Sequence, residues 1–440
     1  MKLSRLAGIT AVFVACTETA NPVGAPDLSM AVVVDVVALD LGALNGRSRA
    51  VGINDAGQIT GWSDLGNGDI HGFLYDEGVV TEIGAVGWTN VVPGDINEMG
   101  WVIGGARRPD GSYTGFIWDG TLFDLGAAIG TEVRAYRVVP RDINDGPSPV
   151  VIGSMEVTGG THTFRWSAET GTEDLAGQIG GSCTIPFALN DAGDIVGSRD
   201  GSAFLLAANG ALSMLPNLPG GAWAVAVDIN EAGVIVGQAS TETEVHAVKW
   251  ESGAIVDLGT LGFPSSAAYA INDGGQIAGT ANYALSARCE PVDAIPPEFT
   301  VPFVWEDGNL TDLRESRSGL AYALDINDAH SVVGILWDVA VRWTIAIEPT
   351  TPEEGTEQIV DDVVALIDAD VVENGTGNAL LAKLDAVTRQ LNQGNETTAA
   401  RLLQSFIHQV QGWILAGQIP SEEGDELIQL ATNGLSLIES

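Results

Sequence analysis

The stretch AAYAINDGGQIAGT, from Ala267 to Thr280, decides the fold because six near-copies of it recur along the chain. Small and apolar residues alternate up to Ile271, a polar turn follows, and alternation resumes up to Gly279, which predicts strand, tight turn and strand. Asn and Gly both tolerate the backbone angles that reverse a chain tightly, so the stretch is predicted to form a β-hairpin. The turn asparagines of the seven copies are Asn54, Asn97, Asn144, Asn190, Asn230, Asn272 and Asn327.

Two further strand-like motifs follow each hairpin. One resembles His-x-Phe-x-Trp, as at His162 to Trp166, and the other ends in Asp-Leu-Gly or a variant of it, as at Asp257 to Gly259. The hairpins recur about every 40 to 55 residues, a period typical of propeller blades. Four short strands per period, repeated seven times, predict an all-β seven-bladed propeller with four-stranded antiparallel blades over residues 31–346.

The order of these motifs closely resembles the HAF repeat of bacterial extracellular proteins: Ala-Ile-Asn-Asp-Ala-Gly-Gln-Ile-x-Gly, then His-Ala-Phe-x-Trp, then Asp-Leu-Gly. The resemblance extends from roughly Val32 to Ala346. It implies export and a propeller-like fold, and it brings with it no agreed activity and no catalytic residues.

The number of motifs also predicts how the ring closes. After Trp343 the chain runs into a Pro-rich linker without a fourth strand, whereas one Asp-Leu-Gly copy, at Asp40 to Gly42, precedes the first hairpin. We therefore expect Val32 to Leu41 to pair with the strand around Val339 to Ile345, so that the N-terminal strand completes the last blade and covers a sheet edge.

The N-terminus is typical of a bacterial secretory signal, with Lys2 and Arg5 ahead of a short apolar run from Leu6 to Ala15. Phe13-Val14-Ala15-Cys16 resembles the lipobox of bacterial lipoproteins, which implies that residues 1–15 are removed and Cys16 is lipidated. Thr17 after the cysteine then favours the outer membrane, and residues 16–30 form a tether. Ordinary signal cleavage and secretion is the alternative.

Composition limits the class of partner. Lys and Arg total 19 against 58 Asp and Glu, a net charge of -39, and 45% of residues are hydrophobic. Such a chain buries a large core, while its charge repels nucleic-acid phosphates and anionic lipid. We expect no nucleic-acid partner, and membrane contact only through the lipid anchor; the sequence does not determine the oligomeric state.

Helical periodicity replaces strand periodicity after a linker at residues 347–356. Leu380, Leu384, Val387 and Leu391 share one helical face, and the segment from Leu403 to Ile414 has another, which predicts a module of four short helices at residues 357–440. NALLAKLDAV and GNETTAARLLQSFIHQV resemble the FIMAH-type helical module of secreted bacterial proteins, whose role is itself obscure.

Most chemically notable residues are explained by the repeat. His71, His162 and His246 occupy equivalent places on separated blades, which favours a structural role over metal binding. The tryptophans of the third strands are expected to pack between blades. They are Trp118, Trp166, Trp250, Trp305 and Trp343.

Four Asp-Ile-Asn turns resemble calcium loops only weakly, because they lack the series of alternating acidic residues and the distant Glu. Turn chemistry is the favoured explanation of their aspartates, Asp95, Asp142, Asp228 and Asp325. The sequence indicates no metal site, and calcium is the one cofactor that it leaves open.

An insertion at residues 282–298 marks one face of the ring as the candidate binding surface, because loops on a rigid scaffold commonly carry recognition. The loops between blades emerge on the same face. The candidate residues are Trp88, Trp223, Tyr283, Arg288, Glu290 and Asp293. Cys183 and Cys289 also lie there, and export predicts a disulfide between them. Neutral loop variation is the alternative explanation of the insertion.

No Gly-x-Ser-x-Gly elbow, His-Glu-x-x-His motif or phosphate-binding glycine loop occurs in the chain. The favoured hypothesis is an exported, lipid-anchored surface propeller that binds a surface protein or glycan without catalysis. The alternatives are a calcium-assisted structural or adhesive protein and, less favoured, an envelope glycoside hydrolase or lyase.

Overall fold

The computed structural model describes residues 31–44, 46–64, 66, 69–129, 137–146, 148–157, 160–282, 299–313, 320–347, 352–368 and 371–439. The chain divides into two compact units, one containing Ala31–Ala346 and the other Ile347–Ser440.

The first unit consists of seven four-stranded antiparallel sheets, each a hairpin of two inner strands followed by two outer strands. The first strands of neighbouring blades contact each other all the way round, so they form the inner wall of a closed propeller. These first strands are β2 (Arg47–Ile53), β6 (Thr89–Ile96), β10 (Val138–Ile143), β14 (Thr184–Leu189), β18 (Ala224–Ile229), β22 (Ser266–Ile271) and β26 (Ala321–Ile326).

The second strands are β3 (Ile59–Asp64), β7 (Val102–Arg107), β11 (Val150–Val157), β15 (Ile195–Arg199), β19 (Ile235–Ser240), β23 (Ile277–Ala281) and β27 (Ser331–Leu336). The third strands are β4 (Ile70–Asp76), β8 (Tyr113–Trp118), β12 (Gly160–Ser167), β16 (Ser202–Leu206), β20 (Val245–Glu251), β24 (Val301–Glu306) and β28 (Val339–Ile347). The fourth strands of blades 1 to 6 are β5 (Val79–Ile83), β9 (Leu122–Asp124), β13 (Gly171–Asp174), β17 (Leu212–Met214), β21 (Ala254–Gly259) and β25 (Asn309–Asp312).

The N-terminal strand β1 (Ala31–Ala38) completes blade 7, as the number of motifs predicts. It lies next to β28, and the order in that sheet is β1, β28, β27, β26. Beyond β1, the Leu39 N–H donates to the Ala340 carbonyl at 3.0 Å, and Leu39, Leu41 and Leu44 are buried around a 3-10 turn at Gly42–Leu44. The sheet edge of the last blade is therefore covered by the start of the chain.

A β-bulge interrupts every inner strand at the same place, three residues before the turn asparagine. Opposite it, each second strand carries a glycine, such as Gly279 or Gly334. A Cβ on Gly279 would collide with the Ala267 carbonyl and the Phe303 ring, and one on Gly334 would collide with the Tyr322 carbonyl. Close approach of the two backbones thus explains the glycine of the Ile-x-Gly motif.

The third-strand tryptophans pack between blades, which confirms the prediction. All five are at most 8% exposed. Trp343 of blade 7 packs with Ala270 and Val304 of blade 6, and Trp250 of blade 5 packs with Val196 of blade 4. Burial of a large aromatic side chain at each of these interfaces makes neighbouring blades depend on each other for stability.

The second unit is a bundle of four helices, as predicted: α3 (Pro352–Asp368), α4 (Asn374–Leu391), α5 (Glu396–Leu415) and α6 (Ser421–Glu439). The predicted apolar faces are buried, including Leu384, Val387, Leu403 and Phe406. Two short helices, α1 (Leu125–Ile129) and α2 (Ala176–Ile179), belong instead to connections between blades.

The predicted boundary of the bundle needs one correction, because α3 begins at Pro352, inside the expected 347–356 linker. Proline has no N–H to leave unpaired in a first helical turn, and the Thr356 hydroxyl donates to the Pro352 carbonyl at 2.8 Å. Within the part of the chain that the structure describes, no helix is long and apolar enough to cross a membrane.

Candidate functional site

The seven turn asparagines meet at the axis of the propeller, where the side chains of six of them link one blade to the next. Asn272 Nδ2 donates to the Asn327 carbonyl at 3.0 Å, and Asn327 Nδ2 donates to the Asn54 carbonyl at 2.9 Å. The same bond joins four further neighbouring pairs. The Oδ1 atom accepts from its own hairpin, as from the Gln276 N–H at 2.8 Å. Both ends of the amide are used, which explains why asparagine suits this position.

A second ring follows directly, because every turn asparagine is succeeded by an acidic residue. The backbone N–H of each donates to the carboxylate of the next blade, from Asp273 to Asp328 at 2.9 Å and from Asp328 to Asp55 at 2.8 Å, which closes the circle. The other five bonds are 2.6 to 2.9 Å long. We name these residues the rim carboxylates: Asp55, Glu98, Asp145, Asp191, Glu231, Asp273 and Asp328.

The four aspartates of the Asp-Ile-Asn turns lie deeper and also bridge blades. One oxygen of Asp228 accepts locally from the Ile229 N–H at 2.8 Å, and the other accepts from the Ile271 N–H of the next blade at 2.8 Å. Asp142 and Asp325 do the same. The local turn therefore explains one of the two hydrogen bonds that such a carboxylate accepts. The bond from the next blade is an addition to the predicted turn role.

Together these groups line an axial cavity of about 400 Å³ that contains eleven carboxyl groups, and its described lining has no Lys, Arg or His. Burial and repulsion by Asp142 raise the pKa of Asp228 to about 7, and burial raises the pKa of Asp325 to about 7. Burial and the neighbouring Asp142 hold the pKa of Asp95 well above its usual range. The cavity therefore holds protons near neutral pH.

Metal binding has no arranged ligand set in the described part of the chain: no group of three or more His, Cys, Asp or Glu side chains there is placed to hold an ion.

A cleft of about 450 Å³ lies between blades 1 and 2. Strand β6 begins at this cleft and ends at the axial ring, so the two cavities lie at opposite ends of the inner strands. The polar lining comprises Asp69, His71, Glu82, Trp88, Thr89 and Asn90. Ile70, Ile83, Val86 and Val91 supply apolar surface. Trp88, one of the predicted binding residues, is part of the lining of this cleft, and its place on a binding face stays a prediction.

The backbone of β6 is irregular where it borders this cleft. It has two register shifts, one between Thr89 and Val92 in addition to the bulge common to all blades. Asn90 has a φ of 50°, an uncommon conformation within a strand, and its Oδ1 accepts from the Ile70 N–H at 3.4 Å. Local backbone strain of this kind is concentrated at functional sites in proteins generally.

The other candidate binding residues divide into two groups. Trp223 directly precedes β18 and does not line the cleft. Tyr283, Arg288, Glu290, Asp293, Cys289 and Cys16 lie outside the described residues. Cys183 is disulfide-bonded, and its pairing with Cys289 stays a prediction.

The three repeat histidines pair within their own blades, which agrees with a structural role. His71 Nδ1 lies 2.7 Å from Glu82, His162 Nδ1 lies 2.7 Å from Asp174, and His246 Nδ1 lies 2.8 Å from Asp257. Each pair links the third strand to the fourth.

Sequence reasoning missed the axial rings, although the signal was present. An acidic residue follows the turn asparagine in all seven repeats, and a closed ring brings equivalent inner positions together. The cleft beside Trp88 was missed because the additional irregularity of β6 leaves no mark in the alternation of apolar residues.

Comparison with known proteins identifies part of the chain. A model of the FIMAH domain matches residues 356–434. No curated protein matches. Among solved structures, virginiamycin B lyase from Staphylococcus aureus is 10% identical, covers 71% of this chain and 99% of its own, and has a TM-score of 0.43. A lectin from Aleuria aurantia is 12% identical, with 68% and 94% covered and a TM-score of 0.31. A putative gluconolactonase is 10% identical, with 73% and 94% covered and a TM-score of 0.34. These three solved structures include both enzymes and a lectin, and the similarity concerns the fold alone.

Proposed function

We propose that this protein is an exported scaffold that binds a glycan, without catalysis, in the cleft between blades 1 and 2. The observation that carries the proposal is the lining of the cleft, which combines Trp88 with carboxylate, imidazole and amide residues and with apolar residues. Sugar rings present both apolar faces and hydroxyl groups. A concave site with an aromatic side chain and a few convergent polar groups suits such a ligand.

The architecture supports a binding role because the cleft is formed by loops and strand ends held on a closed ring. A carboxylate oxygen of Glu82 lies 2.7 Å from His71 Nδ1, and this hydrogen bond orients the carboxylate. The backbone N–H of Trp88 donates to the Ala85 carbonyl at 3.0 Å, which fixes the loop between the blades. A pre-formed site of this kind loses little conformational entropy on binding.

Export is part of the proposal and rests on the N-terminal sequence and on the resemblance of the blades to the HAF repeat. We infer that Cys16 carries a lipid that anchors the propeller to the outer membrane of a bacterium. Replacing Cys16 by Ser should then release the protein from membranes, and equal membrane recovery of the variant and the parent would contradict the anchor.

The test of the binding site is a glycan array on residues 17–440, followed by calorimetry with the best glycan. Trp88→Ala should weaken binding at least about 10-fold, because a central aromatic anchor commonly contributes about 2 kcal/mol or more. Trp223→Ala is the matched control, since Trp223 precedes an inner strand of another blade and does not line the cleft. Equal affinity of the parent and Trp88→Ala would refute the site.

A glycoside hydrolase or lyase is the second candidate, because Asp69 and Glu82 contribute two carboxyl groups to one cleft. Product analysis of the bound glycans separates the two candidates. Release of shortened sugars by the parent, abolished in Glu82→Gln, would replace the binding proposal with an enzymatic one.

The calcium-assisted alternative stays a prediction. A melting temperature that rises with calcium over chelator would support it, since a cation bound only by the folded state stabilises that state.

A further inference from the structure

Two arginines of blade 3 have no acidic partner among the described residues, in a chain whose acidic residues outnumber its basic ones threefold. Arg137 and Arg141 form no ion pair with any residue that the structure describes, and both are exposed. By contrast, Arg108 pairs with Asp124 at 2.6 Å and Arg165 pairs with Glu173 at 2.6 Å.

Aromatic rings hold the two guanidinium groups in place. Arg137 Cζ lies 5.4 Å from the centroid of the Tyr113 ring of blade 2, and Arg141 Cζ lies 5.7 Å from the centroid of the Phe187 ring of blade 4. Stacking on a ring leaves the N–H groups at the edge of a guanidinium free to donate. The two side chains are thus oriented without using up their hydrogen-bond donors.

The two groups are close enough to repel each other. Desolvation by the surrounding strands and repulsion by Arg137 together lower the pKa of Arg141. Asp142 follows Arg141 in the chain, yet its two oxygens accept from the Ile143 and Leu189 N–H groups. Among the residues that the structure describes, no carboxylate pairs with either guanidinium group.

The positions of Arg137 and Arg141 at one inner strand support a single site that includes both. Arg141 is the bulge residue of β10, and Arg137 directly precedes this strand. The Glu156 N–H donates to the Arg137 carbonyl at 3.0 Å, so the backbone of Arg137 is fixed to the second strand. Burial raises the pKa of Tyr113, whereas Arg137, Arg141 and Arg107 lower it, which places three cations around one ring.

We propose that Arg137 and Arg141 form a binding site for an oxyanion, a carboxylate, sulfate or phosphate group of a ligand. Guanidinium groups recognise such anions through paired N–H donors, and a bound anion would remove the repulsion between the two cations. This site is distinct from the proposed glycan cleft, because neither arginine lines that cleft. The anion-site proposal does not depend on the glycan-binding proposal.

The experiment measures thermal unfolding of residues 17–440 with sodium sulfate, sodium phosphate or sodium glucuronate against sodium chloride at the same ionic strength. At least one of the three should raise the melting temperature above that in chloride. The anion with the largest effect identifies the source, an inorganic anion or a uronic acid. No increase over chloride with any of the three anions overturns the proposal.

Variants then locate the site. Arg137→Gln and Arg141→Gln should each weaken binding about 10-fold or more, because each removes charge-assisted hydrogen bonds to the anion. Arg165→Gln is the matched control, since Arg165 already pairs with Glu173 and should retain the affinity of the parent. Unchanged affinity in both blade 3 variants would also overturn the proposal.

A measurement on the unaltered protein keeps the test decisive if a variant fails to fold. Phenylglyoxal modifies accessible arginines, and peptide mass spectrometry reports each site separately. The anion should protect Arg137 and Arg141 and leave the modification of Arg165 unchanged. Equal protection of all three, or of none, contradicts the site.

Discussion

The inner hairpin turns and the third strands of the blades carry equally regular motifs, yet they connect the molecule differently. In the turns, Asn272 and Asp273 bind the equivalent residues of the next blade, Asn327 and Asp328. In the third strands, His246 binds Asp257 of its own blade. The repeated polar residues near the axis thus hydrogen-bond to equivalent residues of the next blade, whereas the repeated histidines farther out pair within one blade.

This difference explains which motif positions vary from blade to blade. A third-strand histidine has its acidic partner within the same blade, so a change there does not involve the neighbouring blade. In blade 2, Thr114 stands at the histidine position and its hydroxyl donates to Asp124, which also accepts from Arg108 just after the second strand. In blade 4 both members are absent, replaced by Ser202 and Met214. Six of the seven turn asparagines have side-chain partners both in their own blade and in the next, and asparagine is present in all seven repeats.

The largest expected effect comes from opening the ring. Deleting residues 31–42 removes β1 and exposes the edge of β28, so the axial rings can no longer be held closed. We expect loss of cooperative melting of the propeller, measured by calorimetry. Deletion of residues 17–30 is the control and should leave melting unchanged. A β1-deleted protein that melts at the parental temperature would show that closure does not depend on this strand.

The next effect concerns pH. Asp228 and Asp325 have pKa values of about 7 in the folded protein, above the value of about 4 in an unfolded chain. Their contribution to stability is therefore fully present below pH of about 4 and is lost as the pH rises through about 7. Between these two pH values, each of the two carboxyl groups lowers the free energy of unfolding by about 1.4 kcal/mol for every unit that the pH rises.

Unfolding by urea between pH 5 and 8 should accordingly show stability that falls with rising pH, with a smaller slope in the double variant Asp228→Asn, Asp325→Asn. Asp119→Asn, at an exposed hairpin, is the control and should keep the parental slope. An identical slope in the double variant and the parent would argue against proton uptake at the axis.

A single turn asparagine should have a smaller effect. Asn272 is 5% exposed, and Asn272→Ala leaves the Gln276 N–H without its acceptor and removes the inter-blade bond to the Asn327 carbonyl, which keeps only its bond from the His330 N–H. We expect a loss of about 2 to 4 kcal/mol in the free energy of unfolding. His246→Ala, which breaks a pair within one blade, should cost no more than about 1 kcal/mol. Equal losses would remove the distinction between the two positions.

The fold could be predicted from the sequence because its signals are local and repeated. Alternation of apolar residues gives the strands, and the leftover Asp-Leu-Gly at Asp40 to Gly42 gives the closing pair. The axial cavity could not be read in the same way, because Asp228 satisfies a local turn rule and its second partner, Ile271, lies in another repeat. Only the closed ring brings such residues together.

The closing strand also gives blade 7 a lower resistance to mechanical force than the other blades. Leu39, just after β1, bonds Ala340, near the start of β28, so these adjacent strands run in opposite directions and Ala31 lies towards the Ile347 end. Tension applied between those two ends would unzip the pair one hydrogen bond at a time instead of shearing all the bonds together. Pulling single molecules from residues 31 and 347 should therefore open blade 7 in a first step at low force, before the other blades yield.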